Sequence, residues 1–277
     1  MASQIKKPVL DVQSLPDDRQ IEIDKVGVKD LIYPIQILDR TGGFQCTVAH
    51  VNMYVNLCHR RKGTHMSRFV ALLNEQCHNM TTTAIPRILK EMRTRLEATN
   101  AFIEVAFPYF LPKRAPVSNA LGLVSYHCTI RGRISERVHL EIEVQVPVST
   151  VCPTAMATDQ SAVHNLRGLL TVRFRQNRFV WIEEIIELVE RSASGDVYSG
   201  LKCVEEKFVA EKAFSHPLSI EDVTRAVASR LCAHEGIDWF SVETESQESI
   251  HGHNAYACLE QDCAKKTVKQ PKIARTA

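Results

Sequence analysis

The chain has no run of 18 apolar residues, and its opening stretch, MASQIKKPVLDVQSLPDD, holds no apolar core before Pro and Asp interrupt it. Neither a membrane span nor a secretory signal is therefore expected. It also lacks any CxxC pair. Its nine Cys are an odd number scattered at 46, 58, 77, 128, 152, 203, 232, 258 and 263, which argues against a disulfide framework and against a zinc ribbon. The reducing cytoplasm is the expected compartment. A basic surplus is missing too: 34 Lys and Arg stand against 32 Asp and Glu, a net charge of +2. A dedicated nucleic-acid binder carries a strong positive excess, so nucleic acid is not an expected partner. The one basic run, Lys265, Lys266, Lys269, Lys272 and Arg275, reads as a solubilising tail.

What remains is a soluble globular composition with 44% hydrophobic residues over 277 positions. That length accommodates one large domain or two of roughly 130 residues, each able to bury its own core. Residues 1–24 are polar, contain Pro8 and Pro16, and read as an arm. Two strand-like stretches follow. In the second, Gln45, Thr47, Ala49, Val51, Met53, Val55 and Leu57 alternate with a chemically different face. A short helix over 67–76 comes next. Thr81, Thr82 and Thr83 are cap candidates for a second helix carrying Ile85, Ile88, Leu89, Met92 and Leu96.

Strands are expected near 101–110, 121–134, 138–148 and 168–175. The third has one core face, Val138 to Val148, and one wet face, His139 to Pro147. Helices follow around Trp181 to Val189, over 204–214 and over 219–232, and strands near 237–245 and 253–260 complete the pattern. Two strands, two helices and two strands, then the same again with an extra helix, make an α+β chain of antiparallel sheets backed by helices.

Four clusters carry candidate chemistry. Cys152 and His164 offer a thiolate and an imidazole for a metal, although such a pair taken alone is more often a buried thiol and a surface imidazole. Glu205, Glu206 and Lys207 could add a carboxylate ligand or form a solvated helix face with local ion pairs. The stretch from Glu248 to Ala255 contains His251 and His253, which in extended backbone share one side at about 6.5–7 Å and suit metal binding or proton transfer at neutral pH. Arg60 to Phe69 crowds cations, hydroxyls and His65 around a helix start, a fit for phosphate or a solvated basic turn.

Six ordered blocks give these clusters a common meaning: GTHMSRF at 63–69, FPYFLPKRAPVS at 107–118, Cys152-Pro153 with His164-Asn165, LKCVEEKFVAEKAF at 201–214, SIEDVTR at 219–225 and ESIHGHNA at 248–255. Together they resemble the prokaryotic type IB GTP cyclohydrolases over nearly the whole chain. The resemblance implies a tunnelling fold (T-fold) of two tandem modules, over 25–135 and 136–263, between the arm and a basic tail at 264–277. It implies a homo-oligomer, usually a tetramer with GTP sites at subunit interfaces. The implied reaction turns GTP and water into formate and 7,8-dihydroneopterin triphosphate, the first step towards tetrahydrofolate.

Carried over by motif, Cys152, His164 and Glu206 look like the ligands of a divalent metal, Zn²⁺, Mn²⁺ or Fe²⁺. Glu221 looks like the carboxylate that holds the guanine edge. His251 and His253 would serve water activation or proton transfer, and His65, Ser67 and Arg68 would reach the triphosphate, from a neighbouring subunit if the site is shared. The family writes its loop Cys-Pro-Cys-Ser-Lys-Glu, whereas Thr154, Ala155, Met156 and Ala157 replace the last four residues here. A Thr hydroxyl is neither a thiolate donor nor an effective acid near neutrality. Two further readings stay open: a non-catalytic metal- and nucleotide-binding paralogue, motivated by Thr154, and a relative forming a cyclic phosphate of dihydroneopterin.

Overall fold

The computed structural model describes residues 12–76, 80–151, 153, 165–247 and 252–263. The chain divides into two compact units, neither of them one continuous stretch. The first comprises Met1–Leu38, Cys46–Ala106 and Ile130–His139; the second comprises Asp39–Gln45, Phe107–Thr129 and Leu140–Ala277.

The first unit holds β1 (Ile23–Leu38), β2 (Phe44–Leu57) from Cys46 onward, β3 (Ala101–Arg114) as far as Ala106 and the last residues of β4 (Leu121–Ile134) from Ile130; the rest of these strands belongs to the second unit. Its part of β2 pairs antiparallel with β3, with Met53 opposite Ile103 and Val51 opposite Val105. The alternation in β2 is realised: Ala49, Val51, Met53 and Val55 are all buried. They share the core with Phe69, Leu72 and Leu73 of α1 (Met66–Gln76) and with Ile85, Ile88, Leu89 and Met92 of α2 (Ile85–Arg95). Each such fully buried side chain contributes about 1.5–3 kcal/mol of transfer free energy. Close approach of α2 to the sheet depends on Gly132, where a Cβ would stand 2.7 Å from Ile85 Cγ2 and 3.0 Å from Leu89 Cδ1.

Two expectations need correction in this unit. None of the three threonines caps α2: its N-cap position is Ala84, without a side-chain cap bond, and the Thr81 carbonyl accepts the Ala84 and Ile85 N–H groups at 2.9 and 3.2 Å. The threonines are instead 8–9% exposed or at the turn itself, spent on the approach to the helix. The expected arm is also partly tied down. Lys62 and Gly63 donate backbone hydrogen bonds to Leu15 and Gln13 at 2.8 and 3.1 Å, and β1 begins at Ile23.

In the second unit, strand neighbours run from β4 through β5 (Val138–Val151), β6 (Asn165–Gln176), β8 (Ile237–Gln247) and β9 (Asn254–Asp262), with the two-residue β7 (Gly195–Asp196) also on β5. The β5–β6, β6–β8 and β8–β9 pairs are antiparallel. Apolar residues line up across strands: Ile142, Phe174 and Phe240 form one row, and Val144, Val172 and Val242 the next. Among the described residues of the unit are the helices α3 (Ile182–Glu190), α4 (Cys203–Ser215) and α5 (Ile220–Ala233). Ile185, Ile186, Val189, Val223, Val227 and Leu231 bury their apolar faces. The expected wet face of β5 is only partly wet, since Glu143 is 8% exposed. No helix among the described residues is long and apolar enough to cross a membrane.

Candidate functional site

Cys152, Thr154, His164 and His251 lie outside the described residues. What the structure does describe is the framework of the second unit to which the expected site residues belong. Strand β5 ends at Val151 and β6 begins at Asn165, and these two residues face each other on the antiparallel ladder. They are the sequence neighbours of Cys152 and His164. The same ladder continues outward: Arg167 of β6 pairs with Gln247 of β8, and Gln247 pairs with Asn254 of β9. His253, exposed, immediately precedes Asn254, so it belongs to this end of the sheet.

Helix α5 points its N-terminus the same way. A short turn, with the Ile237 N–H donating to the His234 carbonyl at 3.2 Å, returns the chain from α5 into β8. The helix therefore runs antiparallel to the strand, and the Thr224 and Thr244 hydroxyls meet at 2.7 Å between them. Glu221 sits in the first turn, beyond Thr224, towards the Gln247 end of β8. Ser219 caps the helix by accepting from the Asp222 N–H at 3.2 Å. The Glu221 carboxylate is exposed and has no hydrogen bond or ion pair among the described residues.

Helix α4 assigns opposite roles to two adjacent carboxylates. Glu205 is 2% exposed. It accepts from the Ser118 N–H at 3.0 Å and from the Ser118 hydroxyl, while its other oxygen accepts from the Lys202 N–H at 2.7 Å. The Ser118 hydroxyl first, then the two backbone N–H groups, hold its carboxyl below the usual carboxylate range. The expected solvated face thus holds only in part: Lys207 and Glu211 do form an exposed pair at 3.7 Å, but Glu205 is an internal anchor. Glu206 is exposed, and its carboxylate has no partner among the described residues. At its other end α4 packs Ala213 against Gly195 of β7, which pairs with β5 at Ser149, close to Val151. A carboxylate without a partner among the described residues is a donor type that divalent cations accept.

The triphosphate candidates lie in the first unit. His65 is half-buried, and Ser67 and Arg68 are exposed at the start of α1. The Arg68 guanidinium donates to the Arg95 carbonyl at 3.1 Å and lies 4.0 Å from Glu97, which also pairs with Arg61. These cations are already partly neutralised. The same unit holds a trio of ligand-type side chains: Glu22, Cys58 and His59 have donor atoms within 4.8 Å of one another. His59 Nδ1 is 3.2 Å from Glu22 Oε1 and 3.7 Å from Cys58 Sγ. None of the three belongs to the expected ligand set.

Sequence reasoning missed the roles of Glu205, Ser118, Thr224 and Thr244. Ser118 closes the quoted block at 107–118, and its partnership with Glu205 spans 87 positions, so no local pattern announces it. It also missed Glu183, 7% exposed, whose Oε1 accepts from the buried Tyr109 phenol at 2.7 Å and from the Arg40 N–H at 2.8 Å. Burial, reinforced by that carboxylate, pushes the Tyr109 hydroxyl far above the ordinary phenol range.

Comparison with known proteins adds an independent line. The model of the family described as type I GTP cyclohydrolase FolE2 matches residues 9–257. The chain is 49% identical over 252 residues to a protein named GTP cyclohydrolase FolE2 from Geobacter sulfurreducens, covering 91% of this chain and 98% of the other. It is likewise 49% identical over 254 residues to the namesake from Syntrophobacter fumaroxidans, covering 91% and 99%. Among solved structures it is similar to urate oxidase from Bacillus sp. TB-90, with a TM-score of 0.55 at 10% identity, covering 88% and 99%. It is also similar to uricase from Arthrobacter globiformis, with a TM-score of 0.52 at 10% identity, covering 90% and 96%. At that identity the likeness concerns the fold alone.

Proposed function

This chain belongs to the type I GTP cyclohydrolase FolE2 family and is a GTP cyclohydrolase of folate biosynthesis, and we propose that it works as a metal-dependent enzyme releasing formate and 7,8-dihydroneopterin triphosphate from GTP and water. The family shown is FolE2, where the motifs alone suggested type IB. Cys152, His164 and Glu206 would hold the ion, since thiolate, imidazole and carboxylate all suit Zn²⁺, Fe²⁺ or Mn²⁺. When bound, such an ion supplies Lewis acidity and a lowered pKa for water, the chemistry that attack at C8 of the purine requires.

The protein's own groups do the rest. Glu221 accepts hydrogen bonds from N1–H and the exocyclic amine of guanine through its two oxygens. His251 and His253 carry protons to and from the opened ring. Thr154, where the family has its second loop Cys, offers a hydroxyl that donates one hydrogen bond and accepts up to two, but no thiolate. His65, Ser67 and Arg68 bind the triphosphate from a neighbouring subunit of a cytoplasmic homotetramer, each chain contributing two tandem modules over 25–135 and 136–263.

The observation that supports this reading best is the common sheet end at which Val151 pairs with Asn165 and Gln247 with Asn254, and at which the N-terminus of α5, carrying Glu221, lies. The test is incubation of the purified chain with GTP and a panel of divalent metals, following formate and the fluorescence of oxidised pterin. Exhaustive chelation should abolish turnover. Glu221→Ala should lower kcat/KM for GTP at least ~10-fold with bound metal unchanged, because guanine donors lose their acceptors. Full turnover in metal-free protein removes the metal from the proposal, and unchanged GTP kinetics in Glu221→Ala moves guanine binding elsewhere.

A further inference from the structure

Two half-buried cysteines meet at the end of the second unit remote from Glu221. Cys232 lies in the last turn of α5 and Cys263 directly follows β9, and their Sγ atoms are 3.5 Å apart. No other pair of described cysteines makes such a contact: Cys128 is fully buried, Cys58 is half-buried in the first unit, Cys46 and Cys203 are exposed on other elements, and Cys258 is exposed within β9.

Each thiol is positioned by its own backbone. Cys232 is held by the helix and by the tight turn at His234 that leads into β8, where the His234 N–H donates to the Leu231 carbonyl at 3.1 Å. Cys263 is held by the Trp239–Asp262 rung of the β8–β9 ladder and by its own N–H, which donates to the Asp238 carbonyl at 2.7 Å. Neither contact depends on the other. Bringing the sulfurs from van der Waals contact to bonding distance takes about 1.5 Å. Two reactive groups fixed side by side react far faster than the same groups at bulk concentration.

We propose that Cys232 and Cys263 form a dithiol modification site that closes reversibly to an intrachain disulfide under two-electron oxidants such as hydrogen peroxide. One thiolate attacks the peroxide oxygen, the O–O bond breaks, and the sulfur becomes a sulfenic acid with release of water. The second thiolate then attacks that sulfur and expels the second oxygen as water. The balance is two thiols and one peroxide giving one disulfide and two waters. The link fastens the C-terminal end of α5 to the end of β9 and closes a loop that contains β8 and β9, which constrains the unfolded chain. It arises independently of the metal and substrate assignments above.

The full-length chain, reduced and desalted, is exposed to hydrogen peroxide, or separately to oxidised glutathione, then alkylated and mapped without reduction. The expected product is a linked peptide pair containing Cys232 and Cys263, formed faster than any adduct at exposed Cys203 and reversed by dithiothreitol. The oxidised protein should melt roughly 5–15 °C above the reduced one, and neither Cys232→Ser nor Cys263→Ser should show that rise. Two separately alkylated thiols, separate glutathione adducts on each, or linkage no faster than modification of Cys203 would overturn the proposal.

Discussion

The hydroxyl pair between α5 and β8 makes a quantitative prediction about how the helix that carries Glu221 is held. Thr224 and Thr244 are 4% and 0% exposed, and the Thr224 hydroxyl donates to the Ile220 carbonyl at 2.7 Å. Its single proton is thereby used, so the 2.7 Å contact with Thr244 has Thr244 as donor. Thr224→Val keeps the shape and strands the Thr244 hydroxyl where no water reaches it, at a cost of about 1–3 kcal/mol. For a chain of this size that corresponds to a fall in Tm of roughly 2–12 °C. Thr224→Val combined with Thr244→Val replaces both partners by apolar groups and should recover at least ~1 kcal/mol relative to the sum of the single changes. Urea and thermal denaturation of the four proteins give the coupling. Because Glu221 precedes Thr224 on the same turn, KM for GTP should rise in Thr224→Val and return towards the parent value in the double variant. Single variants each within ~0.3 kcal/mol of the parent, and additive in the double, would show that the hydroxyls are not partnered.

Tyr109→Phe removes the phenol donor from the buried Glu183 carboxylate and should cost about 1.5–3 kcal/mol, seen as a lower Tm; a variant that melts with the parent refutes the pairing. Asp39, held below its ordinary pKa first by the Thr41 hydroxyl and then by the Gly43 and Thr41 N–H groups, stabilises the fold above its unfolded value near ~4. That contribution is lost as pH falls through the folded value. The stability difference between parent and Asp39→Asn should therefore be constant from neutral pH down to about 5 and vanish in stronger acid, and a pH-independent difference counts against it. Glu206→Gln should lower bound metal by elemental analysis without changing Tm, because the exposed carboxylate has no partner among the described residues. Glu205→Ala should lower Tm as well as bound metal, because it removes the Ser118 anchor of the helix, and a lower Tm in Glu206→Gln with none in Glu205→Ala would exchange the two roles.

Most strands and helices were legible because their cause is local. Val51, Met53 and Val55 in β2, and Val144, Val146 and Val148 in β5, repeat every second residue and meet one core face. Ile185, Ile186 and Val189 repeat at helical spacing and mark α3 for the same reason. What escaped is set by contacts between distant segments. β7 is two residues long, too short for any period, and exists because Gly195 and Asp196 meet Ser149 and Val148. The threonine triplet before α2 has good capping chemistry, yet the helix begins beyond it at Ile85, where Pro86 supplies a fixed φ within the first turn.

The candidate site divides along the same line. Motif spacing singled out Glu206 and Glu221, and both are exposed carboxylates in the first turns of helices. It could not rank Glu205 against Glu206, because adjacent glutamates on a helix look alike until a partner chooses between them. Ser118 makes that choice from 87 positions away. By burying one carboxylate it fixes the rotation of α4, and the next residue, about 100° further round, is turned to solvent with its oxygens available. The proposed ligand Glu206 thus depends on an anchor that lies outside the proposed set. The identity of residue 118 should bear on metal affinity as strongly as conservative changes at residue 206, since loss of the anchor frees the helix that presents the carboxylate.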